Sequence, residues 1–113
     1  MDEWEELYVK ERYLQQQEEN LANENRHIEF VTDDFQDYHY QEQQFFTELS
    51  EKFYHNDSVL SNFMNGKLSD VSYKTNRFLS NLEETYEEIQ SKRQQISYDI
   101  EELSYERQKL SFD

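Results

Sequence analysis

The chain has no cysteine, no proline and only one glycine among its 113 residues. The absence of cysteine excludes disulfides and thiolate chemistry. The absence of proline removes the commonest cause of helix interruption, so long unbroken helices form easily. No apolar run approaches the roughly 20 residues of a membrane span, and we therefore expect no membrane insertion.

Basic residues are also scarce. Lysine and arginine number 11 against 26 acidic residues, which gives a formal net charge of −15. Such a charge repels nucleic acids and anionic lipid surfaces, so we expect no nucleic-acid partner. Four of the first six residues are acidic, and this segment lacks the basic and apolar regions of a signal peptide. We expect synthesis in the cytoplasm, and any export by a route without a cleaved signal.

No constellation of residues in the sequence indicates catalysis. There is no glycine-rich phosphate loop and no nucleophile elbow. The three histidines, His27, His39 and His55, do not share a helix face at metal-ligand spacing. We therefore expect a protein that is not an enzyme and that holds no cofactor and no metal, and its function has to be a binding function.

What the chain does contain is a seven-residue repeat, which is typical of one helix lying along another. The repeat begins at Leu7 and Leu14 and is clearest from residue 21 to residue 49. Its two series of inner positions there are Leu21, Ile28, Phe35, Glu42 and Leu49, and, four places on, Asn25, Thr32, His39, Phe46 and Phe53.

We interpret this repeat as one long helix in a single domain of residues 1–113. The prediction is a first helix over about 3–64, a turn over about 65–69 and a second helix over about 70–111. Gly66 would supply the left-handed residue that often ends a helix. The alternative is a break near residues 55–58, where helix propensity is poor.

The second half has its own repeat, with Leu82, Ile89, Ile96, Leu103 and Leu110 at one position. Two long helices joined by a short turn lie antiparallel, and the residue numbers of facing residues then add to a constant. A turn near residue 67 makes that constant about 135. This register places Glu42 opposite Arg93 and predicts an ion pair between them; the alternative is that both side chains point outward.

The two sides of this hairpin differ in polarity. One side carries apolar residues next to the inner positions of both helices, and the other side is polar. A two-helix hairpin with a third apolar stripe is an incomplete helical bundle that a partner can complete. The alternative is that the aromatic side chains fold back over the hairpin itself. The residues of the apolar side are Val31, Tyr38, Phe45 and Val59, together with Val71 and Phe78.

The same register leaves the start of the first helix without a second helix beside it. Asp113 would face Ala22, so residues 3–21 would form an overhang that presents Trp4, Leu7 and Leu14 to a partner. An overhang that folds back, or that pairs with a second copy, is the alternative. The residues predicted to bind a partner are Trp4, Leu7, Leu14, Val31, Tyr38, Phe45, Val59 and Phe78.

An acidic helical hairpin of about a hundred residues without cysteine resembles the small Esx-like proteins of type VII secretion. Their turn carries Trp-x-Gly, whereas this chain has Phe63-Met64-Asn65-Gly66. This departure makes the chain more similar to the LXG-associated α-helical proteins of Firmicutes, which lack that motif. The resemblance implies binding to the helical N-terminal domain of an LXG toxin, together with a sister hairpin, and targeting of the toxin for secretion. It also implies an export signal, for which Tyr98 and Glu102 are candidates.

The leading functional hypothesis is therefore a non-enzymatic targeting factor or export chaperone. Two alternatives belong to other classes. One is an acidic inhibitor or immunity-type protein that binds a basic surface in the manner of a DNA mimic. The other is a structural coiled coil that forms a homodimer.

Overall fold

The computed structural model describes residues 2–53 and 58–112, which form two long helices. Helix α1 spans Glu3–Phe53 and helix α2 spans Ser58–Phe112, and no strand occurs in these two ranges. Contacts between α1 and α2 join residues far apart in sequence, and the helices run antiparallel. The predicted fold class, an all-α antiparallel two-helix hairpin, is confirmed.

Helix α1 begins with a side-chain cap. The Oδ1 atom of Asp2 accepts a hydrogen bond of 2.8 Å from the backbone N–H of Glu5. The first turn also carries the carboxylates of Glu3, Glu5 and Glu6. A capping carboxylate and acidic residues at this end stabilise a helix, because they satisfy unpaired N–H groups and oppose the helix dipole.

The prediction of a turn at residues 65–69 is wrong. Gly66 lies inside α2, without a positive φ angle, and a Cβ atom placed on it would meet nothing within 4 Å. Ser69 and Asp70, which a turn at this place would put at the start of the second helix, are interior residues of α2. The predicted continuous helix through residues 55–58 falls partly on positions 54–57, which lie outside the described residues.

The chain divides into two compact units, and each contains a segment of both helices. One consists of Met1–Ile28 and Thr85–Asp113, and we name it the terminal unit. The other is Glu29–Glu84, the central unit.

The register of the hairpin differs from the predicted one in both units. The residue numbers of contacting pairs add to 111 for Glu18 with Arg93 and to 118 for Glu11 with Arg107 in the terminal unit. They add to 115 for Gln43 with Ser72 in the central unit. The constant is therefore about 114 rather than 135. The difference of about 21 residues is three heptads.

The predicted overhang of residues 3–21 is also wrong. In the observed register α2 continues to Phe112, and Arg107 contacts Trp4 and Glu11 near the start of α1. Leu7 and Leu14 are consequently half-buried. The start of α1 is a packed part of the hairpin.

Candidate protein-interaction surface

A polar network joins the two helices in the terminal unit. The Nε atom of Arg93 lies 2.8 Å from the Glu18 carboxylate, and another nitrogen of this guanidinium donates to Gln90 Oε1. The same oxygen accepts a hydrogen bond of 3.0 Å from the side chain of Asn25, which is only 2% exposed. Asn25 also donates to the backbone carbonyl of Tyr86. A buried asparagine in such a network favours one register over others.

The predicted ion pair between Glu42 and Arg93 is therefore wrong. The guanidinium of Arg93 binds Glu18 and Gln90 in the terminal unit, whereas Glu42 belongs to the central unit. The prediction failed because it followed from the register of about 135.

A second charged cluster lies near the start of α1. Trp4 and Tyr8 stack with their ring centroids 5.6 Å apart, and the guanidinium of Arg107 lies 5.3 Å and 5.4 Å from the two centroids. Arg107 also approaches the buried carboxylate of Glu11 to 3.1 Å. A guanidinium over aromatic rings gains cation–π attraction in addition to its ion pair. Trp4 thus has a partner within its own chain, although it remains partly exposed.

The central unit carries a continuous stripe of apolar side chains on one side of the hairpin. Its members occupy the heptad position one residue before an inner position, and in an antiparallel pair these positions from the two helices share one side. We name this stripe the apolar flank, and it consists of Val31, Tyr38 and Phe45 of α1 and Met64, Val71 and Phe78 of α2.

The hairpin itself covers the apolar flank only in part. Tyr38 remains 63% exposed, Phe45 58% and Phe78 41%. Phe78 packs against the inner residue Phe35 with ring centroids 4.6 Å apart, and Phe45 meets Phe46 edge to face. Phe45 and Phe78 therefore pack against a neighbouring ring and still leave part of their side chains exposed. Exposed aromatic side chains of this kind often insert into pockets of a partner protein.

On the opposite side of the central unit, polar side chains form hydrogen bonds between α1 and α2. The side-chain amide of Gln43 donates to the hydroxyl of Ser72 at 3.4 Å, and the hydroxyl of Ser50 donates to Asn65 at 3.3 Å. Some inner positions are polar as well, and Ser61 and Thr75 are among the buried residues. The described contacts on this side are thus polar, in contrast to the apolar flank.

The structure keeps most of the predicted apolar side and changes two of its members. Five members retain their places, because a shift of three heptads moves each residue to an equivalent position. They are Val31, Tyr38, Phe45, Val71 and Phe78. Val59 belongs to α2 and lies outside the flank, so its assignment there is wrong. Met64 belongs to the flank and was missed, since the predicted turn placed it at the end of the first helix.

The two residues of the candidate export signal are adjacent on the surface of α2. Tyr98 is exposed, and its hydroxyl forms a hydrogen bond with the Glu102 carboxylate four residues later. This hydrogen bond is the main cause that raises the pKa of Tyr98, and the negative charge of Glu102 is the second. Both raise the pKa because they disfavour the phenolate.

The described ranges contain no group of three histidine, aspartate or glutamate side chains that could hold a metal ion. Neither helix, over the part that the structure describes, has a stretch both apolar and long enough to cross a bilayer.

Fold and surface together define an all-α protein, an antiparallel helical hairpin whose central unit carries an apolar stripe along one side. The model of the family described as "Protein of unknown function (DUF3958)" matches residues 2–110, and the chain belongs to this family. Searches of curated proteins and of solved structures found no match.

Proposed function

We propose that this protein is a non-enzymatic targeting factor or export chaperone. Its partner in this proposal is the helical N-terminal domain of an LXG-type toxin of type VII secretion. The observation that carries the proposal is the apolar flank, whose aromatic side chains Tyr38, Phe45 and Phe78 stay exposed in the hairpin. Partner helices laid along this flank would bury them and complete a helical bundle.

The small number of apolar side chains buried between the two helices supports the same proposal. Among the described residues Ile89, at 7% exposure, is the one buried apolar residue, while Glu11, Asn25, Ser61 and Thr75 are buried polar residues. Burial of apolar surface is the main favourable contribution to folding. A hairpin with so polar an interior gains more from a partner than one with a closed apolar core.

The resemblance to LXG-associated proteins selects the toxin domain among helical partners. The turn motif no longer supports this resemblance, because Phe63 and Gly66 lie within α2 and not at a turn. The resemblance therefore rests on the acidic composition and on the two-helix architecture. In this proposal the Tyr98 and Glu102 pair on α2 serves as an export signal. A sister hairpin would occupy a further side of the bundle, and the protein would leave the cell with its cargo by a route without a cleaved signal.

Binding of a purified helical N-terminal domain of an LXG-type toxin tests this proposal. The variant combines Tyr38→Ser, Phe45→Ser and Phe78→Ser, and the affinity is measured by isothermal titration calorimetry. Burial of each large apolar side chain contributes about 1.5 to 3 kcal/mol, so the triple variant should bind at least about 100-fold more weakly.

The matched control replaces three exposed tyrosines outside the apolar flank with serine, namely Tyr13, Tyr73 and Tyr105. This control should bind like the wild type, and circular dichroism should show unchanged helix content in both variants. Equal affinities of the flank variant and the wild type would refute the flank as docking surface.

A second candidate function rests on the net charge of −15. In this alternative the protein is an acidic inhibitor that presents carboxylates to a basic surface. Affinity that falls steeply between about 0.05 and 0.5 M salt would favour it, because exposed charges are screened. Affinity that depends on the aromatic residues of the apolar flank favours the targeting factor.

A further inference from the structure

Charges of opposite sign border the apolar flank on its two helices. On α1 the heptad position just outside the flank carries Asp34 and Glu48, and on α2 the equivalent position carries Lys67 and Lys74. All four side chains are exposed. The ammonium of Lys67 lies 5.6 Å from the ring centroid of Phe63, one turn earlier on the same helix. The flank thus has an acidic edge along α1 and a basic edge along α2.

We propose that, in the absence of another partner, the apolar flank is covered by a second copy of this chain in a two-fold symmetric dimer. A surface that pairs with itself across a two-fold axis has to be self-complementary. Two edges of opposite sign on either side of an apolar stripe meet this requirement, provided that α1 of one copy lies against α2 of the other.

Only one orientation of the axis brings the opposite edges together. A two-fold axis parallel to the helices of the central unit sets α1 against α2 of the other copy, so each acidic edge meets a basic edge. An axis perpendicular to the helices, within the interface, sets α1 against α1 and brings like charges together, which is unfavourable. The dimer of central units is therefore a four-helix bundle in which neighbouring helices are antiparallel.

The symmetry also fixes which residues meet. An axis parallel to the helices keeps both copies at the same level, and Lys67 lies level with residue 47 of α1 in the observed register, where facing residue numbers add to about 114. Glu48 of one copy therefore approaches Lys67 of the other copy, and the pair occurs twice. The net charge of −15 on each copy opposes association. The dimer is consequently a weak resting form from which the toxin domain of the proposed function can displace one copy.

Sedimentation equilibrium of the full chain tests this dimer through a charge reversal. Glu48→Lys and Lys67→Glu should each raise the dimer dissociation constant about tenfold or more, since two ion pairs become like-charge contacts. The double variant should return to the wild-type value. Glu83→Lys on the polar side is the matched control; it makes the same charge change as Glu48→Lys and should not weaken the dimer.

Cross-linking between copies gives a second readout, in which no charge is reversed. The chain has no cysteine, so a mixture of Glu48→Cys and Lys67→Cys proteins can be linked by a short bismaleimide only between copies. Efficient linkage of the mixture supports the proposed dimer, and linkage of either variant alone should be much weaker. A monomer at all concentrations, or a dimer indifferent to both charge reversals, would overturn it. A strictly monomeric protein that still binds the LXG domain would overturn the dimer alone and leave the proposed function standing.

Discussion

The ion pair between Glu18 and Arg93 provides a quantitative test of the observed register. Replacing Arg93 with leucine removes the guanidinium from the Glu18 carboxylate and from Gln90 Oε1, each 2.8 Å away. The side chains of Arg93 and Glu18 are 30% and 28% exposed, so the cost lies between that of an exposed pair and that of a buried pair. We expect Arg93→Leu to lower the free energy of unfolding by about 1 to 2 kcal/mol.

The double variant separates the interaction between Glu18 and Arg93 from the individual effects of the two side chains. With leucine at both positions no charge is left without its partner, and two apolar side chains are added next to the interior of the terminal unit. We expect the free energy of unfolding of Glu18→Leu/Arg93→Leu to be equal to that of the wild type or higher. The coupling energy from the double-mutant cycle should therefore be at least about 1 kcal/mol, which corresponds to at least about 4 °C in melting temperature for a chain of this size.

Urea unfolding followed by circular dichroism measures all four members of the cycle. The matched cycle uses Glu42 in place of Glu18, and its coupling with Arg93 should lie within about 0.3 kcal/mol of zero. Clear coupling between Glu42 and Arg93, with none between Glu18 and Arg93, would refute the register. It would instead support a turn near Gly66.

Three further substitutions probe the helices directly. Gly66→Ala should raise the free energy of unfolding by up to about 1 kcal/mol in thermal melts, because Gly66 is helical and a Cβ there meets open space; a loss of stability would indicate that Gly66 ends a helix. Ile89→Ala should cost about 2 to 4 kcal/mol, since Ile89 is buried, and an unchanged urea midpoint would contradict that burial. Glu102→Gln should lower the pKa of Tyr98, followed by NMR titration, because both the carboxylate hydrogen bond and its charge raise that pKa; an unaltered pKa would show that the two side chains do not interact.

The sequence was sufficient to predict the architecture. The seven-residue repeats and the absence of proline predict two long helices and their antiparallel pairing. They also predict which residues share a side, because side-chain direction depends only on heptad position. That is why Tyr38, Phe45 and Phe78 lie on the predicted side of the hairpin although the predicted register was wrong.

The position of the turn could not be predicted from the same repeat. A heptad pattern is unchanged by a shift of whole heptads, so matching apolar residues across the hairpin fits totals of about 135 and about 114 equally well. The prediction then depended on Gly66 and on the alignment of Glu42 with Arg93. A glycine is tolerated in a helix interior at a cost of about 1 kcal/mol. The informative residues were the other charged inner positions, since Arg93 with Glu18 and Arg107 with Glu11 fit together only in the observed register.

The proposed function depends on the apolar flank of the central unit as the docking surface for a helical partner. Hydrogen–deuterium exchange of the protein with and without the LXG domain tests it most directly, because amides of packed helices exchange slowly. Binding should slow exchange in peptides covering residues 31–45 and 64–78 and leave the peptide around Tyr98 and Tyr105 unchanged. Protection confined to residues 8–13 or 98–105, with none in the central unit, would contradict it.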